Sequence, residues 1–498
     1  MVKLHDLIHL VIKPQDHSLK LQSLRAATWS ILEKGCSHAI RLIGSLILTR
    51  ILFPEAFGIM AASNIVIVMV QLFTDVGIKA AIVQNPNGAK EDFLNTSWII
   101  CTLRGVILSI LIIALAWPIS LYYDQPEIKW ILFILALSPL FLGFENPALT
   151  VLIKRFRVEK KVALELVSQA LGLTTMIILA YLMQSVYALA IGTSLSSLYR
   201  VVGSFIIVQY RPRMHFNRTY ALEIFHFGKF IFINTLISFT AMNVDVFMIG
   251  KILPMKDLGF YSIGKNIGQL IWIVCMQVFV QSYMPAVSSV YNDIKRVTRM
   301  YKRTAAFILA FTIPSSVVFA LFSGDIIHIL YDPRYQDASI SMLWFCLGGI
   351  FLVFNAINSN TFIAMGKPFY ETECMAVGTV FIFTLVPLWT ISYGIKGAAE
   401  GMAVSVVIIA LCQSINLRRA FRFPLAVLVR PWLQISAVMA LIYCMYRLSY
   451  PALSSTRLNN IPFMLLMSLI ALVISALLYI LFEGTHPFRD QMHIKTEA

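Results

Sequence analysis

The sequence predicts an all-α polytopic membrane protein, and its composition, its apolar segment lengths and an internal repeat all support this class. Of the 498 residues, 58% are apolar and 13% are charged, and the mean hydropathy is +0.77. Runs of about 20 apolar residues, the length that crosses a bilayer as a helix, recur along the chain. They predict about fourteen transmembrane helices, at residues 27–49, 58–80, 93–121, 128–152, 162–183, 186–209, 227–250, 259–284, 304–322, 339–364, 374–393, 397–417, 430–450 and 461–482.

Basic residues fall mainly on one side of these predicted helices. About 26 of the 40 Lys and Arg residues lie in one set of loops and termini, about 8 lie in the opposite set, and the others lie inside helices. Because Lys and Arg are retained on the cytoplasmic side of short loops, this asymmetry predicts cytoplasmic N- and C-termini. The net charge of +15 then reflects membrane topology rather than nucleic-acid binding.

An internal repeat divides the predicted helices into two groups. RILFPEAFGIMAASN, residues 50–64, aligns without a gap with KILPMKDLGFYSIGK, residues 251–265, and both follow the first helix of a group of six. Repeated helical lobes with a central binding site are a common plan of transporters. The predicted organisation is a cytoplasmic segment (1–26), an N-lobe (27–209), a cytoplasmic linker (210–226), a C-lobe (227–417), two additional helices (418–482) and a cytoplasmic tail (483–498).

Polar side chains recur at helical spacing in the first two helices of each lobe. An ionisable residue in mid-bilayer costs about 2.5–3.5 kcal/mol on insertion scales and usually faces a cavity or a partner. We therefore expect one water-filled cavity with a positive net charge. Its candidate anion-binding residues are Arg41, Lys265, Arg104 and Lys34; its other polar residues are Asn64, Gln71, Asn234, Ser238, Gln269 and Gln277; Asp75, Asp245 and Glu33 are candidates for ion coupling.

Several of these residues have simpler interpretations. Snorkelling to the inner interface is an equal alternative for Glu33 and Lys34. Glu145 in the fourth predicted helix and Arg200 in the sixth are further charges within the membrane, and Arg200 could also snorkel toward the basic inner loop. Asp75 precedes a glycine at a helix end, which also suits a capping role. The polar run FNAINSNTF in the tenth helix, residues 354–362, suits either a cavity wall or hydrogen bonds between helices.

The sequence offers little support for enzymatic chemistry. GFYSIGKN, residues 259–266, resembles a phosphate-binding loop, but it follows no strand and has Asn266 where a hydroxyl is required. The seven cysteines have no paired spacing, and no metal or other cofactor is expected. Asp-x-Asp, His-Glu-x-x-His and Gly-x-Ser-x-Gly motifs are absent, so we expect a protein that is not an enzyme.

The run LTRILFPEAFGIMAASNIVIVMVQLFTDVGIKAAIVQNP, residues 48–86, resembles the N-terminal signature of the Wzx-type oligosaccharide flippases, a family of polysaccharide transporters. This family shares a superfamily, called MOP, with MATE multidrug extruders and lipid II flippases. Arg50, Pro54, Glu55, Phe57, Gly58, Asp75 and Gly77 fill the family pattern. ILYDPRYQDASISMLW, residues 329–344, is similar to the family's outer junction before the tenth helix.

The resemblance implies a V-shaped fold that alternates access across the bacterial inner membrane. It implies transport of polyprenyl-pyrophosphate-linked oligosaccharides to the outer leaflet for exopolysaccharide, capsule or O-antigen synthesis, with a polymerase and co-polymerase as possible partners. Arg41 and Lys265 match the family's cavity cations and are expected to contact the pyrophosphate, whereas helix two offers only neutral residues before Asp75. Asn234, Gln269, Gln277 and Tyr261 are expected to face the sugar.

Three other functions compete with this one. A cation-coupled multidrug antiporter of the same superfamily would rely on cavity acids, and such proteins usually have twelve helices. A membrane-embedded transferase would need a catalytic constellation and a sizeable loop. A non-transporting scaffold of a polysaccharide assembly complex would not need the charges inside the membrane.

Overall fold

A computed structural model of the chain describes residues 19–73, 78–155, 157–224, 243–276 and 281–453, together with Val473. Within these ranges the chain forms helices and no β-strand. It divides into two compact units, Met1–Asn243 and Val244–Ala498, which we call unit 1 and unit 2. The predicted all-α class is therefore confirmed.

Unit 1 is built from long apolar helices and several short ones. The helix Leu19–Ile51 packs against Val158–Met183, which in turn packs against Tyr187–Ile207. The helices are α1 (Leu19–Ile51), α2 (Pro54–Phe73), α3 (Ile78–Gln84), α4 (Glu91–Tyr122), α5 (Pro126–Leu135), α6 (Leu137–Gly143), α7 (Ala148–Lys154), α8 (Val158–Met183) and α9 (Tyr187–Ile207).

Unit 2 begins within a helix of residues 243–252 and contains eight further α-helices among the described residues. A 3₁₀ helix at Pro333–Tyr335 precedes the long central helix α15. The α-helices are α10 (Met255–Gly268), α11 (Leu270–Cys275), α12 (Gln281–Ser288), α13 (Ile294–Leu321), α14 (Ser323–Leu330), α15 (Ala338–Ala364), α16 (Pro368–Phe421) and α17 (Leu425–Leu453).

Nine helical spans among the described residues are long and apolar enough to cross a membrane. The α1 helix is not one of these nine, although its 33 residues would extend about 50 Å. Its charged residues, including Glu33, Lys34 and Arg41, lower its hydropathy. Part of the predicted seventh helix (227–250) and, apart from Val473, all of the fourteenth (461–482) lie outside the described residues. The count of fourteen therefore stays a prediction.

The predicted fourth helix, 128–152, is not continuous, because the structure divides it into α5, α6 and α7. Pro139 has no N–H to donate to the carbonyl of Leu135, where α5 ends. Hydroxyls of neighbouring helices donate to backbone carbonyls along the break: Ser194 to Ile134 at 2.8 Å and Thr102 to Gly143 at 3.1 Å. Such side-chain bonds allow a broken helix within a membrane.

The internal repeat corresponds to the same backbone turn in both units. The Leu52 N–H donates to the Leu48 carbonyl at 2.8 Å. The N–H of Leu253, 201 positions later, donates to the Ile249 carbonyl, also at 2.8 Å. The next helices begin at equivalent positions, Pro54 and Met255. The repeated sequence thus encodes a helix, a two-residue break and a second helix in each unit.

The 54 residues of α16 contain both the predicted eleventh and twelfth helices. Gly394 has φ 60° and ψ −139°, a conformation that is essentially restricted to glycine. Beyond this turn the chain folds back, since the Gly401 Cα faces the backbone of Val386. The prediction of two helices, 374–393 and 397–417, is therefore correct, and Gly394 is the residue that separates them.

The polar run 354–362, which was predicted for the tenth helix, lies in α15 and makes hydrogen bonds to other helices of unit 2. Asn355 donates to the carbonyl of Val406 on α16 at 3.1 Å. Asn358 accepts from the Tyr301 hydroxyl of α13 at 2.8 Å. The buried Thr361 hydroxyl lies 2.9 Å from that of Tyr283 on α12. Of the two interpretations of this run, the structure supports helix packing.

Candidate functional site

The first cavity of unit 1 lies along the polar stripe of α1 and has a volume of about 370 Å³; we call it the α1 cavity. Lys34 and Arg41 line it and are exposed, and the Arg41 guanidinium lies 3.2 Å from Nδ1 of His38. Within the described part of the chain, neither cation is paired with a carboxylate. The other lining residues are Glu33, Ser37, Leu142, Glu165, Ser168, Gln169, Ser196, Ser197 and Arg200.

Helix packing places the stripe of α1 against two other helices. The Gln169 amide on α8 donates to the Ser37 carbonyl at 3.4 Å, and Lys161 on α8 lies 3.7 Å from Glu33. Ser196 and Ser197 come from α9. Because residues three to four positions apart share one helix face, a single stripe of α1 faces both neighbours.

A network of ion pairs extends from the α1 cavity, which Glu33, Glu165 and Arg200 line. The Arg200 guanidinium lies 2.7 Å from Glu145 and 2.6 Å from Glu165. Lys161 lies 2.8 Å from Glu165, as well as near Glu33. Lys79 lies 3.6 Å from Glu145. Each of the three carboxylates, Glu33, Glu145 and Glu165, thus lies within 4 Å of at least one of three basic side chains.

The break in the fourth segment positions Glu145 for this network. Glu145 lies between α6 and α7, and the next residue, Asn146, makes three hydrogen bonds. The Asn146 N–H donates to the Ser204 hydroxyl at 3.1 Å, its amide donates to the Tyr210 carbonyl at 2.7 Å, and its Oδ1 accepts from Ala148 N–H. These bonds place the Glu145 carboxylate beside Arg200 of α9.

A second cavity of unit 1, of about 240 Å³, lies beside α4 and is called here the α4 cavity. Arg104 lines it and donates to the carbonyl of Gln71 at 2.9 Å. Gly105 allows α4 to approach the break closely, since a Cβ there would lie 2.9 Å from the Gly143 Cα. Arg200 and Leu142 line both cavities and form the wall between them.

Unit 2 contains a buried ion pair. The Lys265 ammonium lies 2.6 Å from Oδ2 of Asp245, which has 0% exposure, and the Tyr261 hydroxyl donates to the same oxygen at 2.6 Å. The ammonium also lies 5.6 Å from the ring centre of Phe345. Only 12% of the Lys265 side chain is exposed. Lys265 therefore has an electrostatic partner, Asp245, within its own unit.

The predicted site residues fall into separate groups. The α1 cavity contains Lys34, Arg41 and Glu33, whereas the α4 cavity contains Arg104 and Gln71. Asn64 is exposed, and Gln269 is half-buried at the break between α10 and α11. Asp75, Asn234, Ser238 and Gln277 lie outside the described residues. The expectation that Tyr261 faces the sugar is wrong for this structure, because that side chain is fully buried against Asp245.

The predicted site omitted Lys161 and Glu165, and it gave no role to Glu145 and Arg200, two charges inside predicted helices. The available signal was the presence of both an arginine and acids within apolar segments, because buried charges in a membrane pair with one another. Arg200 does not snorkel in the structure, since two carboxylates hold its guanidinium.

Comparison with known proteins identifies the family. A family model described as "Polysaccharide biosynthesis protein" matches residues 47–340. "Succinoglycan biosynthesis transport protein ExoT" of Rhizobium meliloti (strain 1021) is 25% identical over 275 residues, which is 55% of this chain and 55% of that protein. "Lipopolysaccharide biosynthesis protein WzxC" of Escherichia coli (strain K12) is 19% identical over 335 residues, covering 67% and 68% of the two chains.

A solved structure has the same fold. "Lipid II flippase MurJ, inward closed conformation" superposes with a TM-score of 0.72 and 14% identity, covering 91% of this chain and 98% of that one. At this identity the similarity concerns the fold alone. The resemblance to Wzx-type polysaccharide transporters is thus confirmed by the family model, the relatives and the fold. The chain is a membrane protein that belongs to the polysaccharide biosynthesis protein family.

Proposed function

We propose that this protein is a flippase for polyprenyl-pyrophosphate-linked oligosaccharides, which it moves from the cytoplasmic to the outer leaflet by alternating access. We place it in a bacterial inner membrane with both termini in the cytoplasm, where its product would enter surface polysaccharide synthesis through a polymerase. The family assignment and the transport-protein names of its relatives support this function.

The observation that carries the proposal is the charge balance of the α1 cavity. The two carboxylates that line it, Glu33 and Glu165, are paired with Lys161 and Arg200. Lys34 and Arg41 have no carboxylate partner among the described residues. Cations within a membrane protein are costly unless a counter-charge meets them. A ligand that supplies this charge is therefore an anion.

A pyrophosphate diester suits this cavity. It carries two negative charges, one for each unmatched cation, and phosphate oxygens form strong charge-assisted hydrogen bonds with guanidinium and ammonium groups. Ser37, Ser168 and Gln169 add hydroxyl and amide groups to the same cavity. These neutral groups would bind the remaining phosphate oxygens or the first sugar.

A cationic cargo suits the cavity less well. Its two acids, Glu33 and Glu165, are already paired with Lys161 and Arg200. A cationic drug would have to displace a basic side chain from each carboxylate while remaining close to Lys34 and Arg41. The pairing of Glu33 and Glu165 therefore favours the flippase over the multidrug antiporter.

Lys265 of unit 2 is proposed as a second contact for the headgroup during transport. Its side chain is 12% exposed, unlike that of a fully buried structural lysine. Because Lys265 already contacts Asp245, headgroup binding there requires an exchange of partners.

Leaflet translocation in proteoliposomes tests the proposed function. The purified full chain would be reconstituted with a polyprenyl-pyrophosphate oligosaccharide, and access of an external glycan-modifying reagent would be measured over time. We expect the wild type to accelerate access. Arg41→Ala should reduce the rate about 10- to 100-fold, the range for loss of one charge-assisted hydrogen bond, whereas Arg41→Lys should retain part of it.

The matched control is Arg299→Ala, which removes an exposed arginine of α13 and should leave the rate near that of the wild type. A folded Arg41→Ala protein with the wild-type rate would contradict the proposed role of the α1 cavity. Efflux of a cationic dye under an ion gradient, without glycan translocation, would indicate the antiporter instead. If the wild type showed neither activity, the scaffold would become the better explanation.

A further inference from the structure

The ion pair of unit 2 is not required by the helix arrangement that contains it. Unit 1 contains the same helix, turn and helix 201 positions earlier, with matching backbone hydrogen bonds. There the equivalents of Asp245 and Lys265 are Gly44 and Asn64, and that of Tyr261 is Met60. The turn therefore forms without these charges, and the pair in unit 2 needs another explanation.

The two partners differ in their access to a ligand. Asp245 is fully buried, whereas part of the Lys265 side chain is exposed. One carboxylate oxygen of Asp245, Oδ2, accepts hydrogen bonds from both Lys265 and Tyr261. The other, Oδ1, has no hydrogen-bond partner among the described residues. The lysine of this pair is therefore partly accessible at the surface of the protein, and the carboxylate is not.

We propose that Asp245 and Lys265 form a charge-exchange pair, in which an anionic pyrophosphate headgroup draws Lys265 away and Asp245 takes up one proton from water. This inference deepens the proposed function and rests on it. When the ammonium leaves, Asp245 retains only the Tyr261 hydroxyl bond, and an isolated buried carboxylate is strongly disfavoured. A proton on the previously unpartnered Oδ1 restores neutrality.

Among the described residues, Lys265 is the one charged group that contacts Asp245. The titratable groups that contact Asp245 within the described residues are Tyr261 and Lys265, both on α10. The facing helix α15 contributes the apolar Phe345, whose ring packs against Tyr261 at 5.3 Å. Tyr261 already donates its proton to Oδ2 and remains a neutral phenol in both states. The charge lost with Lys265 is therefore replaced by a proton from solvent.

The linkage has a definite sign. Because headgroup binding at Lys265 brings one proton with it, a lower pH favours binding, and a higher pH opposes it. Where Asp245 is ionised in the free protein and protonated in the complex, affinity should fall about tenfold for each unit of pH increase. Transport of the headgroup would then move a proton with it.

Isothermal titration calorimetry in nanodiscs tests this exchange. The probe is a short polyprenyl pyrophosphate joined to one sugar, because a diphosphate diester does not change its own charge near neutral pH. Titrations in buffers of different ionisation enthalpy give the number of protons taken up per bound probe. We expect one proton for the wild-type protein and none for Asp245→Asn, which should bind independently of pH.

The control is Glu400→Gln, which removes the carboxylate of another pair in unit 2, formed with Lys396 at 3.6 Å. It should take up one proton, as the wild type does. Binding of the probe by the wild type without proton uptake would overturn the inference and leave the flippase function intact. This measurement uses the wild-type protein alone, so it does not depend on whether a variant folds. Proton uptake retained in Asp245→Asn would also overturn it. If the wild type neither bound nor translocated the probe, the proposed function and this inference would both fail.

Discussion

Arg200 connects three parts of unit 1 through a single guanidinium. It contacts Glu145 in the break before α7 and Glu165 on α8, and its own backbone belongs to α9. All three side chains are less than one quarter exposed, so solvent screens these contacts less than those at a surface. This residue therefore stabilises the wall between the α1 cavity and the α4 cavity.

We expect Arg200→Met to lower the free energy of unfolding by about 2–4 kcal/mol, because it leaves two partly buried carboxylates without their shared cation. Thermal unfolding of the purified protein in detergent measures the loss of stability. Adding Glu165→Gln should restore part of the stability, since one uncompensated charge is removed. Arg299→Met, in an exposed position, should change little. Equal stability of Arg200→Met and Arg299→Met would contradict this role.

At the scale of elements, the interruptions of helices are as important as the helices. The break between α6 and α7 contains Glu145 in unit 1, and the Gly394 turn makes α16 a hairpin. Hydropathy predicted the hairpin as two segments because polar and small residues interrupt the apolar run there. It did not predict the first break, because proline also occurs within continuous helices, as Pro118 does in α4.

Gly394→Ala should destabilise the protein by about 1–3 kcal/mol, because an L-residue is strained at this backbone conformation. An added Cβ would meet no atom within 4 Å, so the effect would be due to the backbone alone. Gly35→Ala is the matched control. Gly35 also has open space around it but lies within α1, where alanine is favoured over glycine by about 1 kcal/mol. Urea or thermal unfolding should show opposite signs for the two variants, and equal effects would contradict the argument.

For the whole molecule, the proposed membrane topology rests on the distribution of Lys and Arg. In a cysteine-free background, Glu127→Cys at the start of α5 should react with a membrane-impermeant maleimide in intact cells. Met214→Cys, in the loop after α9, should react only after the membrane is opened. Both positions are exposed in the structure, so that their accessibility depends on the side of the membrane. The reverse labelling pattern would invert the proposed orientation.

The sequence by itself determined the membrane class, most helical segments, the repeated turn and the residues whose charge is unusual in a bilayer. These properties depend on composition and on short-range patterns. The RILFPEAF and KILPMKDL runs predicted the same turn in both units because a local backbone conformation is encoded within a few residues.

Only the tertiary structure decided which charges are paired. Arg200 and Glu145 are 55 positions apart, and Lys265 and Asp245 are 20 apart, so no local period relates the partners. Arg41 and Lys265 look alike in sequence, as cations in polar stripes. Helix packing leaves Arg41 without an acidic partner among the described residues, and it places Lys265 on a buried aspartate. Electrostatic roles within a membrane depend on these distances between helices, which a single segment does not encode.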